Sequence, residues 1–108
     1  MRRFASLTRQ ADFARLRRRG KRVSTKSLVI YRSDPLPSDP ISLVGITVSK
    51  SIGKAVTRNK LRRRLAAIID EALGQSRSMR LLVVARPGCA EEPFGDLRAE
   101  VASAMERA

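Results

Sequence analysis

The sequence predicts an α+β fold: a single domain built as a two-layer sandwich, with one mixed four-stranded sheet and the element order α-β-β-β-α-β-α. Three observations predict it. The chain has 108 residues, 43% of them apolar, which is enough for one modest core and too few for two. Apolar residues recur at helical spacing in three places: near the start, after residue 60, and towards the C-terminal end. Between them lie short β-type runs, SLVIYRS, ISLVGITVS and RLLVVARP, bounded by turn-forming residues.

Leu7, Ala11, Phe13, Ala14 and Leu16 make the stripe of a first helix over about residues 8–19, with Thr8 as its cap and Gly20 as its stop after three arginines. A short strand near residues 21–24 leads into SLVIYRS. The DPLPSDP loop follows, whose three prolines exclude helix and central strand alike. Asp34 and Asp39 flank these prolines and fit turn chemistry better than metal binding. ISLVGITVS is the antiparallel partner strand. In the second helix Leu61, Leu65, Ile68 and Ala72 form one apolar face, ended by Gly74. RLLVVARP is short, β-branched and stopped by Pro87, hence a buried strand. Phe94, Leu97, Val101 and Met105 stripe a closing helix. No internal repeat interrupts this order.

Charge then points to a partner. The formal net charge is +13, from 23 basic and 10 acidic residues. Residues 1–64 form a basic half with 18 Lys/Arg against Asp12, Asp34 and Asp39; residues 65–108 form a neutral to acidic half with five against seven. Self-repulsion on this scale calls for an anionic partner, and nucleic acid is the first candidate. The densest stretch, SKSIGKAVTRNKLRRRL, carries seven basic residues in positions 49–64 and no acid. It places Arg62, Arg63 and Arg64 early in a helix, where unpaired N–H groups and the dipole favour negative charge. Arg63 is expected to point away from the apolar stripe. Arg58 and Arg62 lie along one edge of that stripe, and Lys60 and Arg64 along the other. Solvated helices usually intersperse Glu with Lys at i+4 spacing, and this one does not.

Other chemistries are excluded. There is no histidine, and Cys89 is the only cysteine, so disulfide frameworks, Cys/His zinc sites and His-based triads drop out. The lone thiol suits a reducing cytosol, and no apolar run approaches the roughly 20 residues of a membrane span. MRRFASLTRQ is arginine-rich but lacks the apolar region of a cleavable leader. A cytoplasmic protein without membrane association is expected.

SKSIGKAVTRNKLRRRL resembles the signature of the bacterial ribonuclease P protein subunit. ADFARLRRRGKR is similar to the family's first helix, LVIYR to its aromatic-bearing strand, VGITVSK to the strand before the signature, and LLVVARPG to the strand after it. The resemblance implies a small protein that binds the catalytic ribonuclease P RNA and the 5′ leader of precursor tRNA. It assists endonucleolytic removal of that leader, which gives the mature tRNA 5′ end. It further implies an uncommon left-handed β-α-β crossover through the second helix. Hydrolysis would be carried by the RNA and its bound Mg2+, with no catalytic residue, metal ligand or cofactor in this chain and no protein partner required.

Carried over residue by residue, the ribozyme-binding surface comprises Lys50, Lys54, Arg58, Asn59, Lys60, Arg62 and Arg63. Lys60 stands where the family usually has a second arginine, which keeps the charge and loses a bidentate fork. The leader surface comprises Phe13, Arg17, Val29 and Tyr31, in a cleft between the first helix and the sheet. Arg17 replaces a frequent aromatic, and a guanidinium plane can still stack on a base. Two other readings compete. A ribosomal-type RNA-binding module would have no reason to add an aromatic cleft, and a metal-dependent nuclease would need converging carboxylates.

Overall fold

A computed structural model describes residues 2–107. In chain order it contains β1 (Phe4–Ser6), α1 (Gln10–Arg19), β2 (Lys21–Ser24), β3 (Leu28–Ser33), β4 (Ser42–Thr47), α2 (Ala55–Leu73), β5 (Arg80–Ala85) and α3 (Phe94–Arg107). Short 3-10 turns lie at Lys50–Ile52 and Cys89–Glu91. The strands form one mixed sheet in the order β1-β4-β5-β3-β2. β1 and β5 run parallel to β4, whereas β3 is antiparallel to both β5 and β2. The α+β class and the mixed sheet are as the sequence predicts.

Four particulars differ from the sequence reading. ISLVGITVS is not the direct partner of SLVIYRS: β5 lies between β3 and β4, antiparallel to the first and parallel to the second, because the β4–α2–β5 crossover inserts it there. A fifth strand, β1, pairs with Ser42–Val44 at the sheet edge. At three residues it is too short to show periodicity. The first helix begins at Gln10, not Thr8: its N-cap is Arg9, which makes no side-chain cap hydrogen bond. Leu7 lies outside the helix, because its N–H extends the β1 ladder by donating to the Val44 carbonyl at 2.9 Å. Finally, α1 packs on the face opposite α2 and α3, which adds a thin third layer to the expected two.

Strand alternation explains the layers. Leu28 and Ile30 of β3, Val44 of β4, and Leu81, Val83 and Ala85 of β5 face α2 and α3. They meet Leu61, Leu65, Ile68, Ile69 and Leu73 of α2 and Leu97, Val101 and Ala104 of α3 in one core. The intervening residues face α1. Here Leu7, Leu16 and Leu82 are the buried apolar residues among those described, with Phe13, Tyr31, Leu43 and Val84 partly buried around them. On the α2/α3 side, Glu100 of α3 accepts hydrogen bonds from the Thr25 hydroxyl at 2.6 Å and the Ser27 amide at 2.8 Å. This pins α3 to the β2–β3 turn.

Gly20 stops α1 through room rather than through a left-handed conformation. Its φ of −69° is open to any residue, but a Cβ there would lie 2.5 Å from the Leu16 carbonyl oxygen and 3.2 Å from that of Arg32. The tight reversal lets Lys21 begin β2 opposite Arg32.

Candidate nucleic-acid interface

The strand registers place side chains on the α1 face in rows across the sheet. One row contains Arg22, Tyr31, Leu82 and Gly45; the next contains Ser24, Val29, Val84 and Thr47. α1 crosses the strands above the first row. The Phe13 ring lies over Gly45, where a Cβ would come within 2.6 Å of its Cε1. Tyr31 stands two strands away, or roughly 10 Å at normal strand spacing. Phe13 and Tyr31 thus flank the buried Leu82 and are themselves half-buried. Beyond them Val29, Val84 and Thr47 are only partly covered, forming an apolar strip beside the helix. Arg17, one turn after Phe13, lies on the same flank of α1 and is exposed. All four expected leader-surface residues therefore share this side of the sheet.

The basic surface sits on α2 and the turn before it. The N-cap of α2 is Lys54, without a side-chain cap, and the first turn holds no acid. Asn59 is inside the helix and does not cap it. Its Oδ1 accepts a hydrogen bond from Arg62 Nη1 at 3.0 Å. Arg62 Nη2 also donates to the Val48 carbonyl at 3.4 Å, and Arg58 Nε donates to the Gly53 carbonyl at 3.2 Å. These two arginines are half-buried and partly used in holding the turn. Lys50, Lys54, Lys60 and Arg63 are exposed and, among the described residues, have no hydrogen-bonding or ionic side-chain partner.

Sequence spacing alone sets the two surfaces apart, but in the structure they meet. β1 ends opposite Val44, so β4 continues unpaired on that side through Gly45, Ile46 and Thr47. A cavity of about 290 Å³ opens at this edge, lined by Phe4 and Phe13 on one side and by Arg62, Arg63 and Ala66 on the other. Arg63, expected on the outer surface of α2, is exposed and also borders this cavity. Arg2 lies at its rim with its guanidinium 5.3 Å from the Phe4 ring centroid. Lys60 and Arg64 border a separate groove with Val56 and Ala90.

Sequence reasoning missed Arg22, Thr47 and Val84, which share the α1 face with the expected leader residues. The alternation in KRVS, GIT and LLVVA carried that information once the registers were known. It also missed the partner of Asp39. Arg80 is only 7% exposed, and its guanidinium binds both Asp39 oxygens at 2.8 and 2.9 Å and Asp12 Oδ1 at 2.9 Å. The hydrogen bonds from Arg80 hold Asp39 down to about 2, with help from the Leu36 amide, against the opposing effect of burial. The turn role expected for Asp39 is present too, since Oδ2 accepts from Leu36 N at 2.9 Å. Two of the three acids in the basic half are therefore committed to one arginine. Burial pushes the Cys89 thiol up to about 11, as expected for a core residue. Among the described residues no group of three Cys, Asp or Glu side chains converges as a metal-ion site would require.

Known proteins share this sequence pattern and fold. The family model described as Ribonuclease P matches residues 1–108. The ribonuclease P protein component of Acidothermus cellulolyticus is 37% identical over 95 residues, covering 87% of this chain and 79% of the relative. That of Micrococcus luteus is 37% identical over 109 residues, covering 91% and 83%. Among solved structures, the Staphylococcus aureus RNase P protein superposes with a TM-score of 0.83 at 22% identity, covering 94% of this chain and 93% of that one. The Thermotoga maritima RNase P protein gives 0.81 at 24%, covering 96% and 97%. With the fold shared with these structures and the family model matched from end to end, the chain belongs to the ribonuclease P protein family, the protein component of the tRNA-processing endoribonuclease.

Proposed function

We propose that this chain binds the catalytic ribonuclease P RNA through the basic start of α2 and the 5′ leader of precursor tRNA through the strip beside α1. The observation that carries the reading is the meeting of two chemistries at one sheet edge. Unpartnered cations supply phosphate affinity by counterion release, and the half-buried ring of Phe13 at that edge, with Tyr31 further along the α1 face, supplies stacking for unpaired bases. Lys50, Lys54, Lys60 and Arg63 act on phosphates. Arg58 and Arg62 do so with the nitrogens left over from their backbone contacts, and Asn59 orients Arg62. Phe13, Arg17, Val29 and Tyr31 receive the leader.

Phosphodiester hydrolysis belongs to the RNA and the Mg2+ it holds. Asp12 and Asp39, two of the three acids in the basic half, are engaged by Arg80 and offer no free donor set. The complex acts in the cytoplasm, and no helix among the described residues is long and apolar enough to cross a membrane.

The test compares substrates. Tyr31→Ala removes a stacking platform worth about 1 to 3 kcal/mol and leaves α2 untouched. In a reconstituted ribonucleoprotein, affinity for precursor tRNA should fall while affinity for mature tRNA is retained. Equal losses for both, in a protein with a normal melt, would refute the assignment. Leader removal by RNA-free protein would overturn the division of labour.

A further inference from the structure

The thin layer raises a mechanical question: what fixes α1 above the sheet? The helix buries only Leu16 completely. It also carries Arg15, Arg17, Arg18 and Arg19, whose mutual repulsion favours release, and Asp12 is its only acid. That acid is bound to Arg80 at 2.9 Å, and Arg80 is in turn clamped by both oxygens of Asp39. Asp39 is fixed to the β3–β4 loop by the reciprocal hydrogen bonds between its amide and the Leu36 carbonyl and between its Oδ2 and the Leu36 amide, each 2.9 Å. Arg80 itself sits in the sheet, opposite Ser33 of β3 and Leu43 of β4. Three chain segments thus converge on one buried guanidinium.

Helical geometry gives this linkage a direction. At 3.6 residues per turn, Asp12 lies about 40° to one side of Leu16, and Phe13 and Arg17 lie about 60° and 100° to the other. Leu16 is the axle, Asp12 is held on one flank, and the leader-facing residues project from the opposite flank. By these angles, a rotation of α1 that lifted Asp12 from Arg80 would turn Phe13 inward from its seat over Gly45 and carry Arg17 with it. We propose that the Asp12–Arg80–Asp39 triad is a positioning device: it sets the rotation of α1 and so holds Phe13 and Arg17 where an unpaired strand can stack. Arg80, Asp12 and Asp39 are positioning residues, and none needs to touch RNA. The assignment rests on the leader reading of the α1 face given above.

The experiment uses the full chain, free and reconstituted with its RNA. Asp12→Asn preserves side-chain shape and leaves the bidentate Arg80–Asp39 pair to maintain the loop. Arg80→Lys keeps the charge but loses the planar fork that reaches both acids. Ile69→Val, in the opposite layer, serves as a stability control. In Asp12→Asn and Arg80→Lys, amide exchange across α1 should accelerate. The preference for precursor over mature tRNA should drop about tenfold, with mature tRNA affinity within twofold of wild type. Ile69→Val should lower the melt and keep the preference. Retained preference in an Asp12→Asn protein, whether or not α1 exchanges faster, would overturn the positioning role, as would an equal loss of preference in Ile69→Val. A wild-type assembly with no precursor preference would instead sink the leader reading itself.

Discussion

The two faces of the sheet are built on different principles. Against α2 and α3, twenty buried apolar residues form a continuous core, compared with three on the α1 side among the described residues. Charge divides along similar lines. Asp70, Glu71 and Glu92 each pair with a basic residue, and Glu100 accepts two hydrogen bonds. Among the described residues, the cations of α1 and early α2 mostly have no partner. The thick layer therefore supplies cohesion, while the α1 face and the outer surface of early α2 supply unsatisfied chemistry. A small domain can carry a large uncompensated charge when its stability comes from a core that the binding surfaces do not draw on.

The largest test of this contrast is a pair of truncations. Leu65, in the thick layer, and Leu16, in the thin one, are both buried at 0% and 2% exposure. Leu65→Ala should cost about 2 to 5 kcal/mol, a large part of the stability of a domain this size. Leu16→Ala should cost less globally, because α1 can detach while the sheet and the other two helices remain packed. Denaturant melts, with amide exchange reporting α1 separately, check this. Equal global losses would mean that the two layers form one cooperative unit.

Acid should expose the same difference more mildly. The carboxylate of Asp39 titrates at about 2 in the folded state, below the roughly 4 of an unfolded chain. Glu100 is also lowered: burial opposes its ionisation, but the hydrogen bonds from Thr25 and Ser27 outweigh it. A depressed folded value gives stability that is complete above the unfolded value and lost as pH falls through the folded one. The melting temperature should therefore hold from pH 7 to about 5 and fall from about 4 towards 2. Asp39→Asn should melt lower at pH 7 and show a shallower acid decline, leaving the part due to Glu100. An unchanged acid profile in that variant would show that the triad contributes nothing to stability.

What the sequence disclosed depended on range. Periodicity of 3.6 identified α2 from Leu61, Leu65 and Ile68, and the same signal identified α3; both survive in the structure because each packs a full stripe. At the first helix it misplaced only the start, because Leu7 fitted the stripe by spacing yet belongs to a strand extension. β1 escaped because three residues carry no period. Asp39 was assigned to turn chemistry from its prolines, and that local role is real. Its partner lies 41 residues away, and nothing near Asp39 announces it. The site behaves likewise. The α2 surface is local and was legible, whereas its shared cavity with Phe13 depends on where β1 stops and on a glycine in β4.

The smallest effect separates the two kinds of arginine at that cavity. Arg63 is exposed and makes no ionic or hydrogen-bonding side-chain contact within the described chain, so Arg63→Ala should leave the melt unchanged. It should weaken RNA binding roughly two- to fivefold, in the range of an exposed charge pair. The log–log salt slope should fall by roughly 0.7 to 0.9 if one phosphate contact is lost. Arg62→Ala removes the same unit of charge and also the bonds to Asn59 Oδ1 and the Val48 carbonyl. Its salt slope should fall by a similar amount, accompanied by a lower melting temperature. Binding titrations over a series of salt concentrations, with a melt for each variant, separate the two contributions. A lowered melt for Arg63→Ala with an unchanged slope would assign that residue to the fold, and the division between a cohesive core and a binding surface would no longer hold at the start of α2.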